Sequence, residues 1–212
     1  MKLTVFGASG GIGGLAVRQA LDSGHKVTAV VRDSSGFDLD HPGLEVVRVP
    51  GLTDPTALET ALDGTDAVIS GLGPRRRKDA GVASSTTRVI LAALDATGVR
   101  RFVAVSAAPV APPPEDDGWL NRRVLHPLIS ALLRDIYADV ATMEDDIRRS
   151  ATDWTVVRPP RLTNKPLSGR YRMAINANLP HGYTISRADV AHAMLAVLDD
   201  PTTIRTAVGV AR

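Results

Sequence analysis

No cysteine occurs anywhere in the 212 residues. Disulfides, thiolate nucleophiles and cysteine-ligated metal sites are thereby excluded, and the composition fits a reducing compartment such as the cytoplasm. Aromatic residues make up only 4% of the chain, too few for a broad stacking platform. The 25 basic and 23 acidic side chains leave a formal charge of +2, too small an excess to call for a nucleic-acid partner. No apolar run approaches the roughly 20 residues that a membrane span requires. The run that follows Met1 and Lys2 stops at Phe6 and reads as a first strand, not an export signal. His25, His41, His126 and His181 are scattered without metal-ligand spacing, and His192 reads as a packing residue, so no metal is expected. No repeat, low-complexity tract or linker divides the chain, so one domain is expected over residues 1–212.

What is present is an alternation of apolar runs and amphipathic stretches. Leu3 to Phe6, Val27 to Val31, Glu45 to Val49, Asp66 to Ser70, Arg101 to Ser106 and Trp154 to Arg158 are short, apolar or β-branched runs. They read as strands buried on both faces. Between them, Gly11 to Ser23, a short segment opened by Asp54-Pro55, Ala80 to Thr97 and Leu120 to Ser150 (interrupted near Pro127) read as helices. Ala111 to Gly118 reads as a loop. A strand at Tyr171 to Ile175, a helix from Arg187 to Leu198 and a strand from Ala207 to Val210 complete the chain. Strand alternating with helix predicts an α/β fold: a doubly wound, mostly parallel sheet of Rossmann type with helices on both faces. Ligands of such sheets bind beyond the carboxyl ends of the strands. The unusual clusters of this sequence fall at those ends, and the last third of the chain is expected to close the crevice.

The first strand end carries Gly7-Ala8-Ser9-Gly10-Gly11-Ile12-Gly13, a G-x-x-G-x-x-G spacing between a strand and a helix. Glycine permits the tight turn and close backbone approach to a pyrophosphate, and the helix start offers free amides to it. Arg32 closes the second strand, where an acid would suit the ribose hydroxyls of NAD(H); an arginine suits the 2′-phosphate of NADP(H). Arg32 either holds that phosphate, with Ser34 and Ser35 adding hydroxyls, or pairs with Asp33 in solvent. Together with Leu52, Gly71, Leu72, Gly73, Ser106 and Pro159 after later strands, these residues make the expected cofactor site, with NADP(H) preferred over NAD(H).

These residues resemble the atypical short-chain dehydrogenase/reductase group of NAD(P)H-binding proteins, in particular the flavin reductase and biliverdin-IXβ reductase type. The matching pieces are Val5-Phe6-Gly7-Ala8-Ser9-Gly10, Val31-Arg32-Asp33-Ser34-Ser35, and Asp66-Ala67-Val68-Ile69 with Leu72-Gly73. Pro159-Pro160, Pro166-Leu167-Ser168-Gly169-Arg170-Tyr171 and Ile185-Ser186-Arg187-Ala188-Asp189-Val190 extend the match from about residue 2 to about residue 200. The sequence departs from the pattern where the resemblance implies a serine after the fifth strand and a histidine after the proline pair: Ala107 and Arg161 stand there. Gly51 stands where an adenine-contacting aspartate is implied, and no Tyr-x-x-x-Lys pair exists.

The resemblance implies hydride transfer to a flavin, a quinone or a similar planar small-molecule acceptor, with no nucleic acid or membrane as partner. The nicotinamide performs that chemistry, and the protein positions it. Ser106 and Arg161 are the candidate catalytic residues. Ser106 can hydrogen-bond the nicotinamide amide or cap its own backbone. Arg161 can stabilise charge developing on the acceptor or pair with a carboxylate. Arg75, in the run Arg75-Arg76-Arg77-Lys78, can meet an anionic substrate or belong to a solvated basic loop, and Tyr171 can wall the pocket. A non-catalytic NADP(H) sensor on the same fold is the competing reading. A nucleotide-sugar epimerase is disfavoured by the missing Tyr-x-x-x-Lys pair.

Overall fold

The computed structural model describes residues 1–73, 81–112 and 133–212. Strands β1 (Lys2–Phe6), β2 (Lys26–Arg32), β3 (Leu44–Val49), β4 (Ala67–Ser70), β5 (Arg101–Val105), β6 (Asp153–Arg158), β8 (Arg172–Ile175) and β10 (Thr206–Ala211) form one sheet. Its order is β3-β2-β1-β4-β5-β6-β10-β8, with β8 alone antiparallel to its neighbour. Two three-residue strands, β7 (Arg161–Thr163) and β9 (Thr184–Ser186), pair in parallel beside it. The helices among the described residues are α1 (Gly13–Asp22), α2 (Thr56–Leu62), α3 (Val82–Thr97), α4 (Arg134–Arg149) and α5 (Arg187–Ala196). This is the expected Rossmann-type single-domain α/β fold.

Side chains alternating along each strand feed two separate cores. Leu3 and Val5 of β1, Ala67 and Ile69 of β4, and Val103 and Val105 of β5 face α1 and α5. Phe6, Val68, Phe102 and Ala104 face α2, α3 and α4. That double burial is why the strands read as unbroken apolar runs. The strand order reverses beside β1, because β2 lies to one side and β4 to the other. The crevice expected at such a point opens above Phe6.

Buried polar groups tie the elements together. The Arg101 guanidinium, buried under the last turn of α5, donates to the carbonyls of Leu198 at 3.1 Å and Val197 at 2.5 Å. It neutralises the partial negative charge of that helix end. Asp139 of α4 accepts from the amides of Ala83 and Ser84, both at 3.0 Å, and so caps α3 from a neighbouring helix.

Two motifs that carried the resemblance, Pro166 to Tyr171 and Ile185 to Val190, hold each other. Asp189 accepts from the amides of Ser168 (2.8 Å) and Gly169 (3.0 Å) and from the hydroxyl of Ser186 (2.8 Å), which itself caps α5. Burial would raise the Asp189 carboxyl, yet these donors hold it below the ordinary carboxylate value.

The boundaries differ from expectation by one or two residues, and the β7–β9 ribbon lay outside it. The basic run Arg75 to Lys78, most of the Ala111 to Gly118 loop and the first part of the Leu120 to Ser150 helix, including Pro127, lie outside the described residues. Among the described residues no helix is long and apolar enough to cross a membrane.

Candidate functional site

Gly7 leaves β1 at φ +75°, a left-handed turn that glycine adopts without strain, and its carbonyl accepts from the Gly10 amide at 2.8 Å. Gly13 opens α1 directly against this turn. A Cβ at Gly13 would stand 2.3 Å from the Gly7 carbonyl oxygen, and one at Gly71 would stand 2.7 Å from the Gly13 nitrogen. Three glycines from β1, α1 and the end of β4 thus touch backbone to backbone. Their contact brings the start of α1 down onto the sheet. No side chain of the Ile12 cap bonds this helix start; the Gly14 amide donates to the Gly10 carbonyl at 2.9 Å, and a helix start of this kind offers its remaining free amides to an anion.

Two clefts flank the loop. The first, about 520 Å³, is lined by Ala8, Ser9, Gly10 and Gly11, by Arg32, Ser34 and Ser35, and by Leu15, Arg18 and Phe37 among others. Arg32 is exposed and forms no ion pair among the described residues, so a pairing with Asp33 is not what holds it. The Ser35 hydroxyl is buried here with no hydrogen-bond partner, an orphan that a phosphate oxygen would satisfy. Arg18 went unrecognised in the sequence. It lies one helical turn beyond Gly14, on the stripe of α1 that faces the cleft.

The second cleft, about 400 Å³, lies across Gly11. Ile12, Gly71, Leu72 and Gly73 form one wall; Ile136, Val140, Met143 and Leu162 form an apolar one, with Ser106 and Arg187 as the polar groups. Ser106 therefore reaches the crevice, but its hydroxyl already donates to Glu144 Oε1 at 2.5 Å. Glu144 is fully buried and also accepts from Arg158 Nε at 2.9 Å and from Arg158 and Arg148 at 2.5 Å each. With its proton so engaged, Ser106 offers the crevice an acceptor lone pair. Glu144 was missed because no local pattern signals a helix carboxylate meeting the arginine of a later strand.

The other expected residues are dispersed. Arg161 is exposed at the start of β7 and lines neither cleft, although its neighbour Leu162 does. Tyr171 also lines neither: its Oη lies 2.6 Å from His192 Nδ1, and burial, with the Asp189 charge adding to it, pushes the phenol up to about 12. Leu52 packs on the core with Leu72, and the Pro159 carbonyl accepts from the Ala108 amide at 2.8 Å. Arg75 lies outside the described residues. A larger groove of about 630 Å³, rimmed by the Arg88–Asp146 ion pair, opens at the amino ends of β5 and β6. That is the wrong end of a doubly wound sheet for its ligand.

Known proteins are similar to this chain over most of its length. A family model described as NAD(P)H-binding matches residues 7–201. An uncharacterized chloroplastic protein of Arabidopsis thaliana is 31% identical over all of this chain and 77% of its own length. A Saccharomyces cerevisiae protein is 26% identical over 95% of this chain and 88% of its own. A Veillonella parvula short-chain dehydrogenase/reductase solved with NADP superposes with a TM-score of 0.82, at 22% identity, over all of this chain and 94% of that one. A Streptococcus pneumoniae protein provisionally named an NADH-flavin reductase gives 0.81 at 23% identity, over all of this chain and 99% of that one. The solved structures share the fold; the family match extends to the glycine loop and nearly the whole chain. The chain belongs to the NAD(P)H-binding family.

Proposed function

We propose that the protein is an NADPH-dependent reductase that passes hydride to a flavin, a quinone or a similar planar small molecule. The observation that carries this reading is the pair of clefts meeting on the glycine loop: a polar one bearing two arginines and an orphan hydroxyl, and an apolar one ending at Ser106. In the first, Arg32, Arg18 and Ser35 would hold the 2′-phosphate while the helix start faces the pyrophosphate. In the second, Ser106 would accept from the carboxamide and fix the ring face, and Ile136, Met143 and Leu162 would exclude water from it. Bound NADPH supplies the hydride, and reduction of a planar acceptor can take its proton from solvent. No side-chain acid is then needed in the crevice. A reducing cytoplasm that supplies NADPH suits this reading.

The direct test follows loss of reduced-nicotinamide absorbance with FMN, riboflavin and a small quinone, beside calorimetric titration of NADPH and NADH. Turnover with tight NADPH binding is expected. Tight binding without turnover on any acceptor would favour the sensor reading, for which the engagement of the Ser106 proton by Glu144 speaks.

Arg32→Ala is expected to weaken NADPH by about 1.5–3 kcal/mol, the worth of charge-assisted hydrogen bonds to a phosphate, while NADH binding barely moves. Equal losses for both nucleotides would remove the 2′-phosphate from Arg32.

A further inference from the structure

Gly11 is not one of the three glycines of the G-x-x-G-x-x-G spacing, and the left-handed turn is made at Gly7. What its missing Cβ makes room for is a side chain from the far end of the sequence. A Cβ at Gly11 would stand 2.9 Å from Arg187 Cδ and 3.1 Å from Arg187 Nε. Arg187 is the first residue of α5, set at the end of β9 by the Ser186 cap. Its stem lies across the loop, and one terminal nitrogen donates to Asn164 Oδ1 at 2.5 Å. Among the described residues it pairs with no carboxylate. The remaining donors of the fork are left for a ligand.

The position of this guanidinium identifies the ligand group. Among the described residues, Gly11 is the one that both clefts share. A dinucleotide with its adenosine half in the first cleft and its nicotinamide half in the second must cross at Gly11. The part of the molecule that crosses is the pyrophosphate. We infer that Arg187, steadied by Asn164, clamps the pyrophosphate of the bound dinucleotide against the glycine loop. The inference rests on the dinucleotide reading above and adds to it a positive charge contributed by the last third of the chain. The α1 amides supply only partial charge, whereas a guanidinium matches paired phosphate oxygens bidentately.

The test is a binding titration without turnover, using NADPH, 2′-phospho-ADP-ribose (pyrophosphate, no nicotinamide) and adenosine 2′-phosphate (no pyrophosphate). Arg187→Ala is expected to weaken the first two alike, by roughly 10- to 100-fold, and to leave the third unchanged. Asn164→Ala should give a smaller loss with the same selectivity. Loss confined to NADPH would place Arg187 on the nicotinamide half, and unchanged affinity for 2′-phospho-ADP-ribose would remove it from the pyrophosphate. A parallel fall for adenosine 2′-phosphate would show that Arg187 only shapes the loop. Each of these three outcomes overturns the clamp. Failure of the dinucleotide reading itself looks different: the unsubstituted protein would then bind none of the three ligands.

Discussion

Glu144→Ala is expected to cost the fold about 3–5 kcal/mol, the penalty of leaving a buried charge without its partner. The carboxylate is fully buried and Arg158 is 8% exposed, so water cannot readily replace the lost acceptor. Arg158 Nε and one terminal nitrogen both donate to this carboxylate, and the Ser106 hydroxyl would lose its acceptor too. The half-exposed Arg148 adds little, because its charge is solvated with or without the pair. Against a total stability of roughly 5–15 kcal/mol, the change threatens folding at growth temperature. Urea midpoints measure it. Glu144→Gln, which keeps the shape and one acceptor, should fall between the alanine variant and the unsubstituted protein. A loss under about 1 kcal/mol for the alanine variant would mean that Arg158 finds another partner.

Gly13→Ala is expected to be nearly as severe, and for nucleotide binding more so. The added methyl would meet the carbonyl oxygen and carbon of Gly7 at 2.3 and 2.7 Å. Both are backbone atoms, so no rotamer change relieves the clash, and α1 must back away from β1 and β4. Overpacking of this kind costs about 1–3 kcal/mol or more. Displacing the α1 amides forfeits a hydrogen bond to a charged phosphate, about 1.5–3 kcal/mol, and should weaken NADPH on the order of 10- to 100-fold. Gly51→Ala is the control for stability: its methyl would meet nothing closer than 3.9 Å, so the folding stability should stay near that of the unsubstituted protein. Calorimetry on the two variants decides, and an unchanged NADPH affinity for Gly13→Ala would show that the three-glycine contact is not what positions the loop.

The fold was legible because burial on both faces leaves a plain trace: runs such as Val27 to Val31 and Arg101 to Ser106 cannot sit elsewhere than in a covered sheet. The same reasoning brought Gly7, Arg32, Gly71 and Ser106 to the strand ends where ligands bind. It failed where the signal is short or non-local. Arg161-Leu162-Thr163 and Thr184-Ile185-Ser186 are too brief to show any period, so the β7–β9 ribbon was invisible. With β9 unseen, Arg187 read as the first residue of a helix rather than a strand-end cation. The Ser106–Glu144–Arg158 contact joins a strand end, a helix and a later strand. Hydrophobic spacing reports which face is covered, never which polar groups meet beneath it.

The pairing of Leu162 with Ile185 and the grip of Asp189 on Ser168 also bear on how easily this molecule changes its habits. The connection between β7 and β9 is pinned near its start at Ser168, along β8 by the sheet, and at its end by the ribbon. Its residues hang from these pins in short spans. Lengthening one span costs chain entropy that grows only with the logarithm of its length, about 0.6 kcal/mol per doubling. The β-sheet beneath, with its touching glycines, tolerates no such revision. Insertions that remodel the crevice wall around Leu162 are therefore thermodynamically inexpensive, whereas the nucleotide end is fixed by contacts that cannot stretch. On the proposed reductase activity, descendants of this chain should diversify in what they reduce long before they diversify in what they reduce it with.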